Sequence, residues 1–328
     1  MNPRAILLAL ETLDWGPPPP INPHGPGILR EADGWLVELG LADLPGRLDT
    51  HRRIAVPLLA SLAYPTASRE VLRLAHDWMA WIFEFDDQFD DGEDGHSSER
   101  ARHAREQLGA VLEGSAGNVP RRTLQWGLND IWERLRALAP PALCERFAGH
   151  VADYLASCEW ETRNRRAGDC PDVDEYLAER QHTGAAHSCF DLLVPAMGLP
   201  YSRVDWTSAR RGRLEYLCSE IITLTNDLVS FPKERARGDV HNLVLILMRR
   251  HGLSEQAAVL QSVEWLRGRI QDFEREAREL ARTAPQGLDE GTWHYVHGLR
   301  LFYPGCYVWS SRCRRFLVED AVHEAARP

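Results

Sequence analysis

The chain has 328 residues, 44% of them hydrophobic and 26% charged, which is enough apolar content to bury a large core. Its 48 acidic against 38 basic residues leave a net charge of −10, which excludes nucleic acid as a partner because phosphate-backbone binding needs clustered Lys and Arg. Seven cysteines without a C-x-x-C pair, and no run near the ~20 apolar residues of a membrane helix, predict reduced thiols in a cytoplasmic protein without membrane insertion.

The N-terminus carries Gly-Pro-Pro-Pro-Pro-Ile-Asn-Pro-His-Gly-Pro-Gly at 16–27, where proline fixes φ and removes donors. An extended arm is therefore predicted over 1–27. Residues 28–328 read as one all-α domain. Helices are predicted over 29–40, 49–63, 68–89, 99–113, 120–138, 141–166, 172–194, 206–235, 239–250, 254–283 and 289–318, the last broken at Pro304-Gly305. Pro65, Pro140, Pro171, Pro200 and Pro285 supply stops, with Gly92, Gly114 and Gly252 nearby. Strand signals are weak, with no sustained alternation and no Asn-Gly hairpin. Eleven Trp, nine Phe and eight Tyr are available to fill a core or line a cavity.

Within 68–89, Leu72, Ala75, Met79, Ile82 and Asp86 share one stripe, and Asp90 follows at i+4. The stripe turns acidic where the helix ends, as Asp86-Asp87-Gln88-Phe89-Asp90-Asp91. Carboxylates there are opposed by the helix dipole and by one another, so the arrangement asks for a cation. A calcium loop does not supply it. With Gly92 at loop position 6, position 3 is Phe89 and position 12 is Ser98, and neither can ligate as the loop requires.

A second half-site lies 140 residues downstream, in Asn226-Asp227-Leu228-Val229-Ser230-Phe231-Pro232-Lys233-Glu234. Asn226, Ser230 and Glu234 recur at i, i+4 and i+8, within about 80° of one another on a helix. An amide oxygen, a hydroxyl and a carboxylate are hard donors suited to Mg²⁺, which completes its shell with water and substrate phosphate. Lys233 adds a cation within reach of a diphosphate, and Pro232 threatens a kink. Two such half-sites suggest a dinuclear or trinuclear Mg²⁺ site that grips a diphosphate.

The chain resembles a bacterial class I terpene synthase (terpene cyclase). Asp86-Asp87-Gln88-Phe89-Asp90 is similar to the family's aspartate-rich motif, and 226–234 fits its N-D-x-x-S-x-x-K-E motif at every position. The likeness continues in Gly238-Asp239-Val240-His241-Asn242-Leu243-Val244. It continues also in Tyr176-Leu177-Ala178-Glu179-Arg180-Gln181-His182-Thr183-Gly184, the segment that carries the family's pyrophosphate-sensing Arg, linker residue and effector Gly. One departure is plain. The family's C-terminal Arg-Tyr pair after a Trp becomes Trp309, Arg315 and Phe316, so the phenol is missing.

The resemblance implies a helical bundle around an apolar cavity, and a carbon–oxygen lyase that ionises and cyclises a linear prenyl diphosphate. Farnesyl diphosphate is favoured over geranylgeranyl diphosphate, and three Mg²⁺ ions are expected with substrate bound. It assigns Asp86, with Asp90 or Asp91, and Asn226, Ser230 and Glu234 to metal. Arg180, Thr183 and Gly184 are assigned to catalysis, and Arg180, Asn226, Lys233 and Arg315 to diphosphate. Phe83 and Trp309 would line the cavity, and Asp87 would orient a basic residue. A homodimer is compatible with this reading. A chain-elongating prenyl transferase would need a second D-D-x-x-D in place of the asparagine motif, where residues 226–230 read Asn-Asp-Leu-Val-Ser instead. A non-catalytic helical metal-binding protein is the alternative from another class.

Overall fold

The apolar stripes are too wide to be covered from one side, so the longest helices are wrapped by several neighbours at once. The computed structural model describes residues 2–91, 97–283 and 290–316, and no strand occurs among them. The helices are α1 (Pro3–Glu11), α2 (Gly25–Glu38), α3 (Arg47–Ile54), α4 (Val56–Ala63), α5 (Arg69–Asp91), α6 (Ser98–Leu112), α7 (Leu124–Leu138) and α8 (Pro141–Ala167). They continue as α9 (Val173–Thr183), α10 (Ala186–Asp191), α11 (Leu193–Ala196), α12 (Ala209–Arg237), α13 (Leu243–His251), α14 (Glu255–Thr283) and α15 (Glu290–Ser310).

Helix α12 is central, packed by α14, α15, α13 and α9, with Leu217, Cys218, Ile221, Leu228 and Phe231 wholly buried. Helix α5 packs on α4, α7 and α2. One of its faces carries Trp78, Trp81, Phe85 and Phe89, whose rings stack at 5.4, 5.2 and 5.3 Å between centroids. Phe147 and Tyr154 of α8 close on this ladder edge-on, against Trp78 at 5.0 Å and Phe85 at 5.7 Å. The ladder fixes the rotation of α5 and so decides where its other face points.

Four expectations are corrected. The extended arm over 1–27 instead contains α1, because Asn2 caps it through Arg4 N, proline sits in its first turn, and Ile6 and Leu10 find the core. Helix α2 also starts earlier, at Gly25. The intervening stretch is pinned. Trp15 stacks on Tyr307 at 4.1 Å, and Asn22 Nδ2 donates to the carbonyls of Tyr64 (2.7 Å) and Ala67 (2.9 Å).

The predicted 49–63 helix is two helices, with Ala55 between them in the left-handed region (φ 57°). Pro57 is tolerated in the first turn of α4 but would clash with the carbonyl of Arg53 in a continuous helix. That carbonyl accepts from Arg314 N instead (3.2 Å), and Ile54 O accepts from Trp309 Nε1 (2.6 Å).

The predicted 172–194 helix is interrupted after Thr183, with Ala185 at φ 50°. A Cβ on Gly184 would lie 2.4 Å from Thr223 Cγ2, so α12 approaches there as only glycine permits. Conversely, α15 does not break at Pro304-Gly305, and α12 runs through Pro232. Each proline loses one ladder bond, and α15 continues through Tyr303, Pro304, Gly305 and Cys306, all of them buried.

At Gly305 a Cβ would stand 2.9 Å from the backbone C and O of Leu62, so the glycine serves close approach to α4. Gly305→Ala must push α15 off α4 and should cost about 1–3 kcal/mol. Thermal unfolding checks this, and an unchanged Tm would contradict the close approach.

Candidate active site

The ends of α5 and α12 open on one cavity of about 940 Å³, which Asp86, Asp87, Asn226, Ser230, Lys233 and Glu234 all line, joined by Arg180 and Arg315. A deeper chamber of about 140 Å³ shares Phe83, Asp86, Arg180, Thr183 and Asn226 with this mouth. Below them it is walled by Met79, Ile82, Ile222, Phe302, Cys306 and Trp309. The stripe on α5 therefore runs from apolar chamber to charged mouth. Asp90 and Asp91 end α5, and their side chains lie outside the described residues.

Asp227 organises the mouth although it does not line it. Its Oδ1 accepts from Arg180 Nε (3.2 Å) and Nη2 (2.9 Å), and its Oδ2 accepts from Tyr176 OH (2.7 Å) and Leu243 N (3.0 Å). One carboxylate thus ties α9, α12 and α13 together. Arg180 also donates to Asn226 Oδ1 (3.0 Å) and Thr183 Oγ1 (3.1 Å), which sets its guanidinium beside the α12 donors. Ser230 Oγ donates to the carbonyl of Asn226 (2.7 Å), one turn back. Gly184 lines the chamber at the α9–α10 interruption.

Beside α5, Arg315 donates through Nη2 and Nη1 to Asp87 at 2.7 and 3.1 Å, and lies 5.0 Å from the centre of the Phe83 ring. Burial raises the Asp87 carboxyl. Arg315, with Lys233 and Arg47, overcomes this and holds Asp87 well below the usual range. Trp309 touches Phe83 at 5.6 Å and Phe316 edge-on at 5.8 Å, and Phe316 lines the mouth.

A hard cation fits this donor set. Among the described residues no three or more His, Cys, Asp or Glu side chains are grouped to hold a metal. The α12 set instead combines one carboxylate with an amide and a hydroxyl, all oxygen. Burial, then Asp239 and Asp227, push the Glu234 carboxyl up to about 8, against which Asn242 and Arg180 pull only partly. A divalent ion would remove that penalty. The residues that would hold it are Asn226, Ser230 and Glu234 on α12 and Asp86 on α5.

Sequence reasoning missed Tyr154 and Asn242. Tyr154 OH donates to Asp86 Oδ1. Asn242 caps α13, its Oδ1 accepting from Val244 N (2.9 Å), while its Nδ2 donates to Asp227 O and Glu234 Oε2, both at 2.7 Å. The available signals were a tyrosine on the apolar stripe of α8, which needs a polar partner when buried, and an asparagine at a helix start.

The family model described as "Terpene synthase family 2, C-terminal metal binding" matches residues 77–272, a span that contains both acidic half-sites. The chain belongs to terpene synthase family 2. Among its relatives is (+)-T-muurolol synthase ((2E,6E)-farnesyl diphosphate cyclizing) of Roseiflexus castenholzii, 33% identical over 90% of each chain. Another is 4-epi-cubebol synthase ((2E,6E)-farnesyl diphosphate cyclizing) of Streptosporangium roseum, 28% identical over 95% of this chain and 92% of that one. The crystal structure of germacradien-4-ol synthase from Streptomyces citricolor superposes with a TM-score of 0.76 at 27% identity, covering 89% of this chain and 95% of its own. The protein is thus a class I terpene synthase with the all-α fold of its family, and the non-catalytic alternative falls. No described helix is long and apolar enough to cross a membrane.

Two predictions concern this terpene synthase's charged mouth. Because Glu234 titrates near 8 when folded and near 4.5 otherwise, the folded state holds more protons between those values. Stability of the metal-free protein should fall as pH rises through that interval and level off above it, while divalent-metal binding tightens. Melting curves from pH 5 to 8.5 should lose this slope in Glu234→Gln.

The second compares neighbours. Arg315→Ala leaves the buried Asp87 without its main cation, which should cost about 3–5 kcal/mol in stability and most of the turnover. Phe316→Tyr adds one neutral donor and should change turnover by no more than about tenfold. Wild-type activity in Arg315→Ala would refute the assignment of this side chain to the mouth.

Proposed function

We propose that this terpene synthase ionises farnesyl diphosphate in a Mg²⁺-dependent reaction, cyclises the resulting cation and releases diphosphate. The observation that carries this reading is the joining of two oxygen-donor half-sites, on α5 and α12, at the mouth of one apolar chamber. The C15 substrate is supported by the two relatives whose names specify farnesyl diphosphate.

Asp86, with Asp90 or Asp91, and the Asn226–Ser230–Glu234 set would hold three Mg²⁺ ions together with the substrate. When bound, Mg²⁺ supplies Lewis-acid charge to the departing diphosphate oxygens. Arg180, Lys233 and Arg315 donate charge-assisted hydrogen bonds to the same group, and these strengthen as negative charge develops. Arg180 suits the sensing role because its planar fork is already aimed by Asp227 and Thr183. Asp87 positions Arg315. The faces of Phe83 and Trp309 stabilise cationic carbon without attacking it. Gly184 brings backbone to the chamber beside Arg180, and Thr183 links the two.

The test is incubation of the purified chain with Mg²⁺ and the C10, C15, C20 or C25 diphosphate, read by gas chromatography and diphosphate release. A cyclic product from the C15 substrate that disappears with chelator is expected. Preference for geranylgeranyl diphosphate would overturn the substrate assignment. Arg180→Lys should lose most turnover with an unchanged circular-dichroism spectrum, and near-normal turnover would reject its role.

A further inference from the structure

The two carboxylates of the proposed metal site, both lining the mouth, differ in what holds them. Glu234 is steadied by Asn242, which belongs to the same α12–α13 hub as the motif itself. Asp86 is held by Tyr154, a residue of α8, 68 positions away and outside both motifs. The Tyr154 side chain is only 1% exposed, and its ring is gripped edge-on by Phe85 at 5.7 Å. Phe85 is itself stacked between Trp81 and Phe89. The phenol therefore reaches Asp86 from a body that the aromatic ladder makes rigid, and it lines neither the mouth nor the deeper chamber.

We infer that Tyr154 is a positioning residue for the proposed metal site: its phenol fixes the Asp86 carboxylate so that it is presented to the metal in one orientation. A hydrogen bond of this kind restricts the rotamers of the carboxylate before the metal arrives, and ordering a side chain on metal binding costs free energy. A neutral donor suits the task. A Lys or Arg at this place would orient Asp86 equally well but would repel a divalent cation. The phenol neutralises nothing and leaves the negative charge for the metal. It does not replace the phenol missing at Phe316, because Tyr154 acts through Asp86 and does not reach the diphosphate. Hydrogen bonds to metal-ligating carboxylates commonly alter metal affinity by about 10–100-fold when removed.

This role rests on the metal-dependent reading above, so its test uses a readout that needs no turnover. Mn²⁺ binding in the presence of inorganic diphosphate is measured by electron paramagnetic resonance for the wild type, Tyr154→Phe and Tyr303→Phe. Tyr303 is a buried tyrosine whose hydroxyl donates to Glu274 Oε1 (3.2 Å), away from the cavity. Tyr154→Phe should weaken Mn²⁺ binding by about 10–100-fold, and the Mg²⁺ concentration for half-maximal turnover should rise by a similar factor. At saturating Mg²⁺ most of kcat should return. Tyr303→Phe should bind Mn²⁺ as the wild type does. Unchanged Mn²⁺ affinity in Tyr154→Phe, or equal losses in both variants, would overturn the inference. Failure of the wild type to bind Mn²⁺ at all would overturn the metal site itself, and the role of Tyr154 with it. Binding of Mn²⁺ without turnover of farnesyl diphosphate would reject the substrate assignment alone and leave this comparison intact.

Discussion

Carboxylates collect at the C-terminal ends of two helices, where the helix dipole opposes them. Asp86 and Asp87 lie in the last two turns of α5, and Glu234 lies in the last turn of α12. Each placement is unfavourable alone, and bringing both to one cavity adds repulsion. The rest of the molecule can be understood as what keeps them there. The cost falls mainly on Glu234, whose proton is retained to about 8, whereas Asp87 is relieved by Arg315. The mouth is therefore uneven before any ligand arrives. On the α5 side Arg315 relieves Asp87, whereas on the α12 side Arg180 offsets the burial of Glu234 only in part.

Two different devices resist that repulsion. Helix α5 is held by apolar contact, the stack of Trp78, Trp81, Phe85 and Phe89 with Phe147 and Tyr154 behind it. At its mouth end, helix α12 is held by polar contact as well, through Asp227 and Asn242 to Arg180, Tyr176 and the start of α13. Such a network is strong only when every member is satisfied, because a buried polar group without a partner is costly. Asn242 meets that demand, with both Nδ2 hydrogens and Oδ1 engaged. The close approach of Thr223 to Gly184 then sets the distance between α9 and α12, and with it the reach of Arg180.

Much of this was legible in the sequence because it depends on local spacing. The 3–4 stripe of Met79, Ile82 and Asp86 and the i, i+4, i+8 series of Asn226, Ser230 and Glu234 are properties of one helix each, and Asp86 and Asn226 bring them together where the mouth adjoins the chamber. What was not legible depends on approach between elements distant in the chain. Pro304-Gly305 looks like a break, but only the backbone of α4 beside it explains why glycine is there. The interruption at Ala55 was hidden because its compensating bonds come from Arg314 and Trp309, more than 250 residues later. Tyr154 and Asp86 are 68 residues apart, and no period in either helix announces that they meet.

Polarity in the cavity is graded, and the proposed chemistry needs that gradient. A carbocation survives only if the chamber wall offers no nucleophile, yet Cys189 and Cys306 line it, with Thr183 and Thr223 above. Burial disarms the thiols. It pushes Cys189 up to about 12 and Cys306 further, so both stay protonated, and the thiolate is the reactive form. Of the hydroxyls on the chamber wall, which include Ser310, two are held in hydrogen bonds. Thr223 Oγ1 donates to Ser219 O (2.9 Å), and Thr183 Oγ1 accepts from Arg180 (3.1 Å). Below Arg180, where the walls become Phe302, Met79 and Trp309, the same desolvation that silences the thiols would make an unpaired diphosphate intolerable. On the proposed reading, the charged leaving group would thus be confined to the mouth and the hydrocarbon to the chamber. Substrate orientation would then follow from the burial of side chains that never touch the reacting bond.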